Sequence, residues 1–297
     1  GLLIPILLGN EEMIGKRAKR LGLDISDIEI VNLRHDREAE RRERYAKRLY
    51  EDRQRLGVSY NEALEKMFDR NYFGMMMVNF GDADAFLGGT YSAAHSIGEI
   101  AKEVVGIRPS YKHFASMHII NTKRGTYFLA DTQVNKKVDE ETLFDIARLT
   151  RNSVEYFAQK PVMAMLSYSN FGSSDETECL NSRHVVERMH ELYPDLLIDG
   201  EMSINFAMNR ELRDATFPFN RLKGEDVNAL VFPSLGSAGT AYRMMLELGV
   251  GDVLGPIQMG LNKPIHYISV NSPVKSILNL AAMAAIDAQA SGGAVDK

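Results

Sequence analysis

One cysteine, Cys179, is found in 297 residues. A single thiol excludes an intrachain disulfide framework and any zinc site made from several thiolates within one chain. It fits a reducing compartment, and a cytoplasmic location is the expectation. No histidine stands near it in a local activating pattern, so packing outweighs nucleophilic chemistry as its role. A basic excess is also lacking. Lys and Arg number 35 against 40 Asp and Glu, giving a formal net charge of -5 and a pI of about 5.9. Nucleic acid and anionic membrane both select a basic face, so neither is an expected partner. No apolar run approaches the ~20 residues of a membrane span. The opening GLLIPILLG is apolar but short, has no basic lead and ends in a Gly9-Asn10 turn. It reads as a buried strand, not a signal peptide. Internal repeats and low-complexity segments are missing as well.

What is present is ordinary for a globular chain: 45% hydrophobic and 25% charged residues. The length suits one large domain or two lobes. The chain opens directly on a strand pattern without an initiator methionine, which suggests a domain excised from a longer protein. Short apolar runs alternate with longer amphipathic stretches, the pattern of an α/β fold with a largely parallel sheet. Strands are expected over 4–8, 28–32, 75–79, 85–87, 114–121, 126–130, 162–167, 197–200, 230–232 and 252–255. Helices are expected over 13–21, 36–55, 60–68, 91–105, 140–157, 176–192, 238–248 and 273–290.

Residues 38–55, EAERRERYAKRLYEDRQR, interleave acids with bases at helical spacing and read as a solvated helix face. Ser59, three residues before Glu62, has capping-box spacing. A break at Gln159-Lys160-Pro161 restarts the pattern. Two lobes are expected: 1–145 plus 270–297, and 146–269, with a cleft between them. The small apolar residues of AAMAAIDAQA suggest that the last helix packs back on the first lobe. The tail SGGAVDK reads as a linker or disordered end.

Four strand-to-loop junctions could carry chemistry. In SYSNFGSS (167–174), hydroxyls and glycine follow a buried strand and precede a helix, so free amides and the helix dipole could cradle an anion. An ordinary Ser-rich helix cap is an equal alternative. Asp199-Gly200-Glu201-Met202 puts carboxylates at a strand's C-terminal end, the usual crevice of an α/β sheet. Too few oxygen ligands accompany them for a metal site, and no metal is expected. LVFPSLGSAGTAY (230–242) repeats the strand, Gly/Ser loop and helix pattern. It lacks the spaced glycines of a dinucleotide fingerprint. GPIQMGLNKPIH (255–266) joins a strand end to a rigid turn. Lys263 there fits a surface lysine better than a phosphate ligand.

In that order, SYSNFGSS, DGEM, LVFPSLGSAGTAYR and GPIQMGLNKPIHYIS resemble the signature blocks of the phosphate acetyl/butyryl transferase family. PILLGN, the stretch at 82–92 that ends in LGGTYS, and LADTQVN at 129–135 fit the same family's first lobe. The resemblance spans essentially the whole chain. It is closest to the phosphotransacetylase-like C-terminal half of bacterial NADP-dependent malic enzymes. It implies two α/β/α lobes flanking a cleft, as in isocitrate and isopropylmalate dehydrogenases. It also implies a homodimer or higher oligomer, and an N-terminal malic enzyme domain in the parent chain that holds NADP and a divalent metal. This domain itself would need no cofactor.

Departures from the active family pattern set the functional expectation. Active transferases follow their serine with a phosphate-holding arginine and, shortly after, an aspartate base. The matching positions here keep Ser269 but carry Val270 and Ser276. The second arginine of the family is also missing, with Gly98 or Glu99 at its place. Thr132 stands where a cysteine is common, and Phe171 where a lysine is. A dianionic acyl phosphate would therefore lack its charge-assisted clamp and its base. The resemblance thus implies binding of acetyl-CoA as an effector without turnover, with no catalytic residues. The expected ligand residues of the first loop are Ser167, Ser169, Asn170, Gly172 and Ser173. Further along they are Pro233, Ser237, Tyr242, Met259, Gly260 and Ser269. Asp199 and Glu201 are expected to hold the shape of the cleft. Active acyl transfer and a purely structural assembly role are the alternatives.

Overall fold

The computed structural model of the chain describes residues 1–90 and 94–293. Tyr91 and Ser92 of the GGTYS stretch, the expected start of the helix over 91–105 and the end of the tail lie outside the described residues. The chain divides into two compact units. Unit 1 holds residues 1–106, 262–267 and 281–297, and unit 2 holds 107–261 and 268–280. The first division falls after Gly106 and not near residue 145, because the strands that follow are hydrogen-bonded into the sheet of unit 2.

In unit 1, β1 (Ile6–Leu8) pairs in parallel with β2 (Glu29–Val31) across α1 (Glu11–Arg20). Asn10 caps α1 by accepting the Met13 amide at 2.9 Å. The charged α2 (Ala39–Arg53) buries Tyr45, Ala46 and Leu49 and turns most of its charges outward, the exception being Arg42, which is buried and donates to the Leu33 and His35 carbonyls. Ser59 accepts the Glu62 amide at 3.2 Å and starts α3 (Tyr60–Lys66) as the capping spacing predicts. The run 75–79, expected as a strand, lies instead in α4 (Arg70–Phe80). Asp69 accepts two amides at its start, and Gly81, at φ 78°, ends it. β3 (Phe86–Thr90) pairs with β10 (Ile265–Ser269), and α5 (Ala94–Val104) follows β3.

Unit 2 is built on a six-stranded mixed sheet in the order β7-β6-β8-β5-β4-β9. Its strands are β4 (Ala115–Thr122), β5 (Gly125–Ala130), β6 (Val162–Leu166), β7 (Leu197–Met202), β8 (Ala229–Val231) and β9 (Gly251–Met259). The β7-β6-β8-β5 side is parallel, whereas β4 runs antiparallel to both β5 and β9. The central strands are buried on both faces. β6 is buried at every position and reads VMAML without alternation, as a covered parallel strand must. Helices α6 (Glu140–Tyr156) and α7 (Thr177–Leu192) cover one face. The other is covered by α8 (Ile204–Met208) and α10 (Leu235–Glu247), with α9 (Arg210–Thr216) between them in sequence. Leu129, Ala164, Leu166, Leu230, Phe232 and Ala238 form the core beneath α8 and α10. The last helix, α11 (Val274–Gly293), begins in unit 2 and ends in unit 1. No helix among the described residues is long and apolar enough to cross a membrane.

Candidate functional site

Parallel pairing aligns the carboxyl ends of three strands. Ala130 lies opposite Val231, and Val231 opposite Met165, so β5, β8 and β6 all release their loops at one edge of the sheet. This edge is where α/β sheets expose backbone to ligands. Of the expected residues, Ser167, Ser169, Asn170, Gly172 and Ser173 leave from β6, and Pro233 and Ser237 from β8.

The β6–α7 loop is not an open anion cradle. The amides of residues 169–173 are taken by the chain itself. The buried carboxylate of Glu201, 0% exposed, reaches across from β7. Its Oε1 accepts the Ser169 hydroxyl at 2.8 Å and the Gly172 amide at 3.0 Å. The Glu201 carbonyl accepts the Phe171 amide at 2.8 Å. Ser173 Oγ accepts the Asn170 amide at 3.0 Å, and Asn170 Oδ1 accepts the amide and hydroxyl of Ser203. Arg183 from α7 closes the arrangement. Its Nε lies 3.4 Å from Glu201 Oε2, and its guanidinium donates to the Ser174 carbonyl at 2.6 Å. Gly172 adopts φ 91°, and a Cβ there would lie 3.2 Å from the Arg183 guanidinium, so this turn requires glycine. Phe171 turns away to pack on Phe217 and Phe219. Asp199 is spent on the amides of Gly200 and Arg221, at 2.9 and 2.7 Å. Two of the expected ligand residues thus serve the internal anion: Ser169, only 2% exposed, and Gly172.

The β8–α10 junction is more open. Ser234 caps α10 by accepting the Ser237 amide at 3.2 Å, while Gly236 and Ser237 are exposed. Two turns on, the ring of Tyr242 stacks on His118 of β4 at 3.8 Å and 20°. Burial raises the pKa of the Tyr242 phenol. His118 is fully buried, and burial, helped by Arg243, pushes its pKa down to about 3. Its Nδ1 lies 2.8 Å from Thr132 Oγ1, which lies 3.1 Å from Ser116 Oγ, which in turn donates to Asp131 at 2.7 Å. Sequence reading missed this chain and Arg183. The available signal was Ser116 and His118, two polar residues at a spacing of two within the otherwise apolar run 115–120.

The remaining candidates stand apart. Met259 is buried and its sulfur accepts the Ser153 hydroxyl of α6 at 3.0 Å. Gly260, at φ 91°, is backed by Leu149. Ser269 is exposed and accepts the Asn271 amide at 3.3 Å; Val270 is half-buried, and Ser276 sits in the first turn of α11. Lys275 pairs with Asp252 at 2.6 Å and holds the start of α11 beside the start of β9. At ~3.3 Å per residue, that point lies ~20 Å along the strand from Met259. No recorded polar contact joins Ser269 or Ser276 to the β6–α7 loop among the described residues. Two surface concavities contain none of these candidates. One of about 520 Å³ in unit 1 is lined by Ile30 and Arg37, and one of about 400 Å³ in unit 2 by Arg151 and Tyr193. Among the described residues, no three His, Cys, Asp or Glu side chains come together as metal ligands.

The family model described as phosphate acetyl/butaryl transferase matches residues 1–285, and the chain belongs to that family. The NADP-dependent malic enzyme of Salmonella typhimurium is 35% identical over 294 residues, covering 97% of this chain and 38% of its own length. The chain therefore spans well under half of that relative. The phosphate acetyltransferase of Thermoanaerobacterium thermosaccharolyticum is 31% identical over 97% of this chain and 88% of its own length. The crystal structure of a phosphotransacetylase from Streptococcus pyogenes superposes with a TM-score of 0.86, at 28% identity, over 98% of this chain and 87% of that one. The mixed α/β fold is thus the fold of phosphotransacetylases.

Proposed function

We propose that the chain binds a CoA ester, acetyl-CoA first among them, without transferring its acyl group, and that this binding regulates a malic enzyme activity carried elsewhere in the parent protein. The observation that carries the reading is the pair of uncharged side chains, Val270 and Ser276, next to the retained Ser269. Acyl transfer to phosphate needs a cation against the phosphoryl oxygens and a base for the thiol. Glu201 adds to the case. Its buried carboxylate already takes the Gly172 amide and the Ser169 hydroxyl that would otherwise greet an anion, and a second anion there would meet repulsion at close range. A neutral thioester and its pantetheine arm face no such penalty.

The reading extends to a homo-oligomer and to a malate-oxidising domain on the same polypeptide; the relative named NADP-dependent malic enzyme extends well beyond the region that matches this chain. Regulation requires that the ester bind two states of the parent with different affinity. The rival reading is a working phosphate acetyltransferase. It is favoured by the relative of that name, which matches over 88% of its own length. A coupled assay for acetyl phosphate decides between them. The proposal expects no CoA-dependent acetyl phosphate above background, while turnover of ~10 per second, an ordinary enzyme value, would overturn it.

A further inference from the structure

The hydrogen-bond chain behind Tyr242 has only one consistent arrangement of protons. Asp131 receives six donors: the amides of Ser116, Gln133, Val134 and Asn135, the Asn135 side-chain amide and the Ser116 hydroxyl. A carboxyl group so surrounded is acceptor-only, so the Ser116 proton is committed to it. Ser116 Oγ can then only accept in its 3.1 Å contact with Thr132, which commits the Thr132 proton. Thr132 Oγ1 must in turn accept at 2.8 Å, and His118 Nδ1 must donate. His118 is therefore the Nδ1–H tautomer, and its Nε2 is a bare acceptor.

That acceptor is buried and has no hydrogen-bond partner among the described residues. The ring itself cannot swing to find one. Tyr242 lies flat on it, Thr132 holds one edge, and on the other edge a Cβ at Gly255 would sit 3.0 Å from Cδ2. A buried acceptor left without a donor costs stability, and such groups gather at functional sites. Burial, helped by Arg243, keeps the imidazole neutral at working pH. What the site lacks is a neutral hydrogen-bond donor. Anions, which cannot donate, do not fit it.

Resting on the CoA-ester reading, we propose that His118 is a ligand-binding residue whose Nε2 accepts an amide N–H of the pantetheine arm, with Tyr242 as the aromatic wall over the arm. The Asp131–Ser116–Thr132 chain is the positioning device that fixes the tautomer. Thr132 thereby contributes no free proton to the ligand.

The test uses the whole chain. His118→Phe keeps the stack on Tyr242 and removes both nitrogens. Calorimetry is expected to show acetyl-CoA binding weakened about tenfold, the worth of one buried hydrogen bond. The melting temperature is expected to change little, because the lost Nδ1–H bond to Thr132 is offset by removal of the unmet Nε2 acceptor; a merely structural histidine would lower it and leave affinity alone. In parallel, nitrogen-15 histidine NMR of the wild-type chain is expected to show the Nδ1–H tautomer, with saturating acetyl-CoA moving the Nε2 resonance and leaving Nδ1 protonated. An Nε2–H tautomer, or equal affinities for wild type and His118→Phe, overturns the inference while the CoA-ester reading stands. A wild-type chain that gives no binding heat overturns that reading and this ligand assignment together. Should His118→Phe fail to fold, the NMR result on wild-type protein decides.

Discussion

The buried carboxylate of Glu201 sets how rigid the β6–α7 loop is, and its removal can be worked through. Glu201→Gln keeps the shape and leaves an amide oxygen to accept from Ser169 and Gly172. Both bonds, at 2.8 and 3.0 Å, then lose their charge assistance, which roughly halves each. That is a loss of ~0.5–1 kcal/mol apiece. Arg183, whose Nε sits 3.4 Å from the carboxylate, is left facing an amide N–H₂. Its side chain is 26% exposed, so water reaches it and the penalty falls at the low end, ~1 kcal/mol. The total is ~2–3 kcal/mol, a large share of the ~5–15 kcal/mol that holds a typical native protein together. Glu201→Leu strands the Gly172 amide, leaves the Ser169 hydroxyl only its Ser173 contact and leaves Arg183 facing an apolar side chain, and the loss rises to ~4 kcal/mol. Urea denaturation followed by circular dichroism reads both. If Glu201→Gln lies within 0.5 kcal/mol of wild type, or Glu201→Leu is the milder change, the carboxylate does not organise the loop.

Three other outcomes are expected. Gly200→Ala places a Cβ 2.5 Å from the Met165 carbonyl at φ 141°, so it should cost more than ~3 kcal/mol or abolish soluble protein; a melting curve like wild type refutes it. The folded pKa of His118, about 3, lies below the ordinary 6.5. Below pH 6.5 the unfolded chain therefore binds a proton that the folded chain does not. Stability should fall with pH through the window from 6.5 toward 3, by ~2 kcal/mol between pH 7 and 5. The difference between wild type and His118→Phe isolates this contribution, and a pH-independent difference contradicts it. Ser237→Trp, at an exposed position, should weaken acetyl-CoA at least tenfold with an unchanged melting temperature. Equal affinity would remove the β8–α10 junction from the site.

Regular elements were legible where local signals agreed. Ser59 and Glu62 announced α3, and the unbroken VMAML announced a strand covered on both faces. The MMMVN run was misread because a short apolar stretch looks alike in a buried helix and a buried strand. Its arbiters, Asp69 before and Gly81 after, were in view. β10 was read as a turn since Pro264 precedes it, and the short α8 and α9 left no periodic trace. The Ser/Gly loops after β6 and β8 do leave the carboxyl edge of the sheet, where the strand-then-loop pattern put them. The occupant of the first loop was not legible, because Glu201 lies about thirty residues away and local sequence cannot say which amides a distant carboxylate will claim. Asp131, Ser116 and His118 escaped for the same reason: their chain forms only once β4 and β5 pair.

The account rests on binding without turnover, and calorimetric titration of acetyl-CoA into the chain in phosphate buffer reads both at once. Saturable heats that return to a flat baseline after every injection are the predicted result. No heat at millimolar ligand would contradict the binding, and a baseline displaced for as long as substrate lasts would show acyl transfer to phosphate.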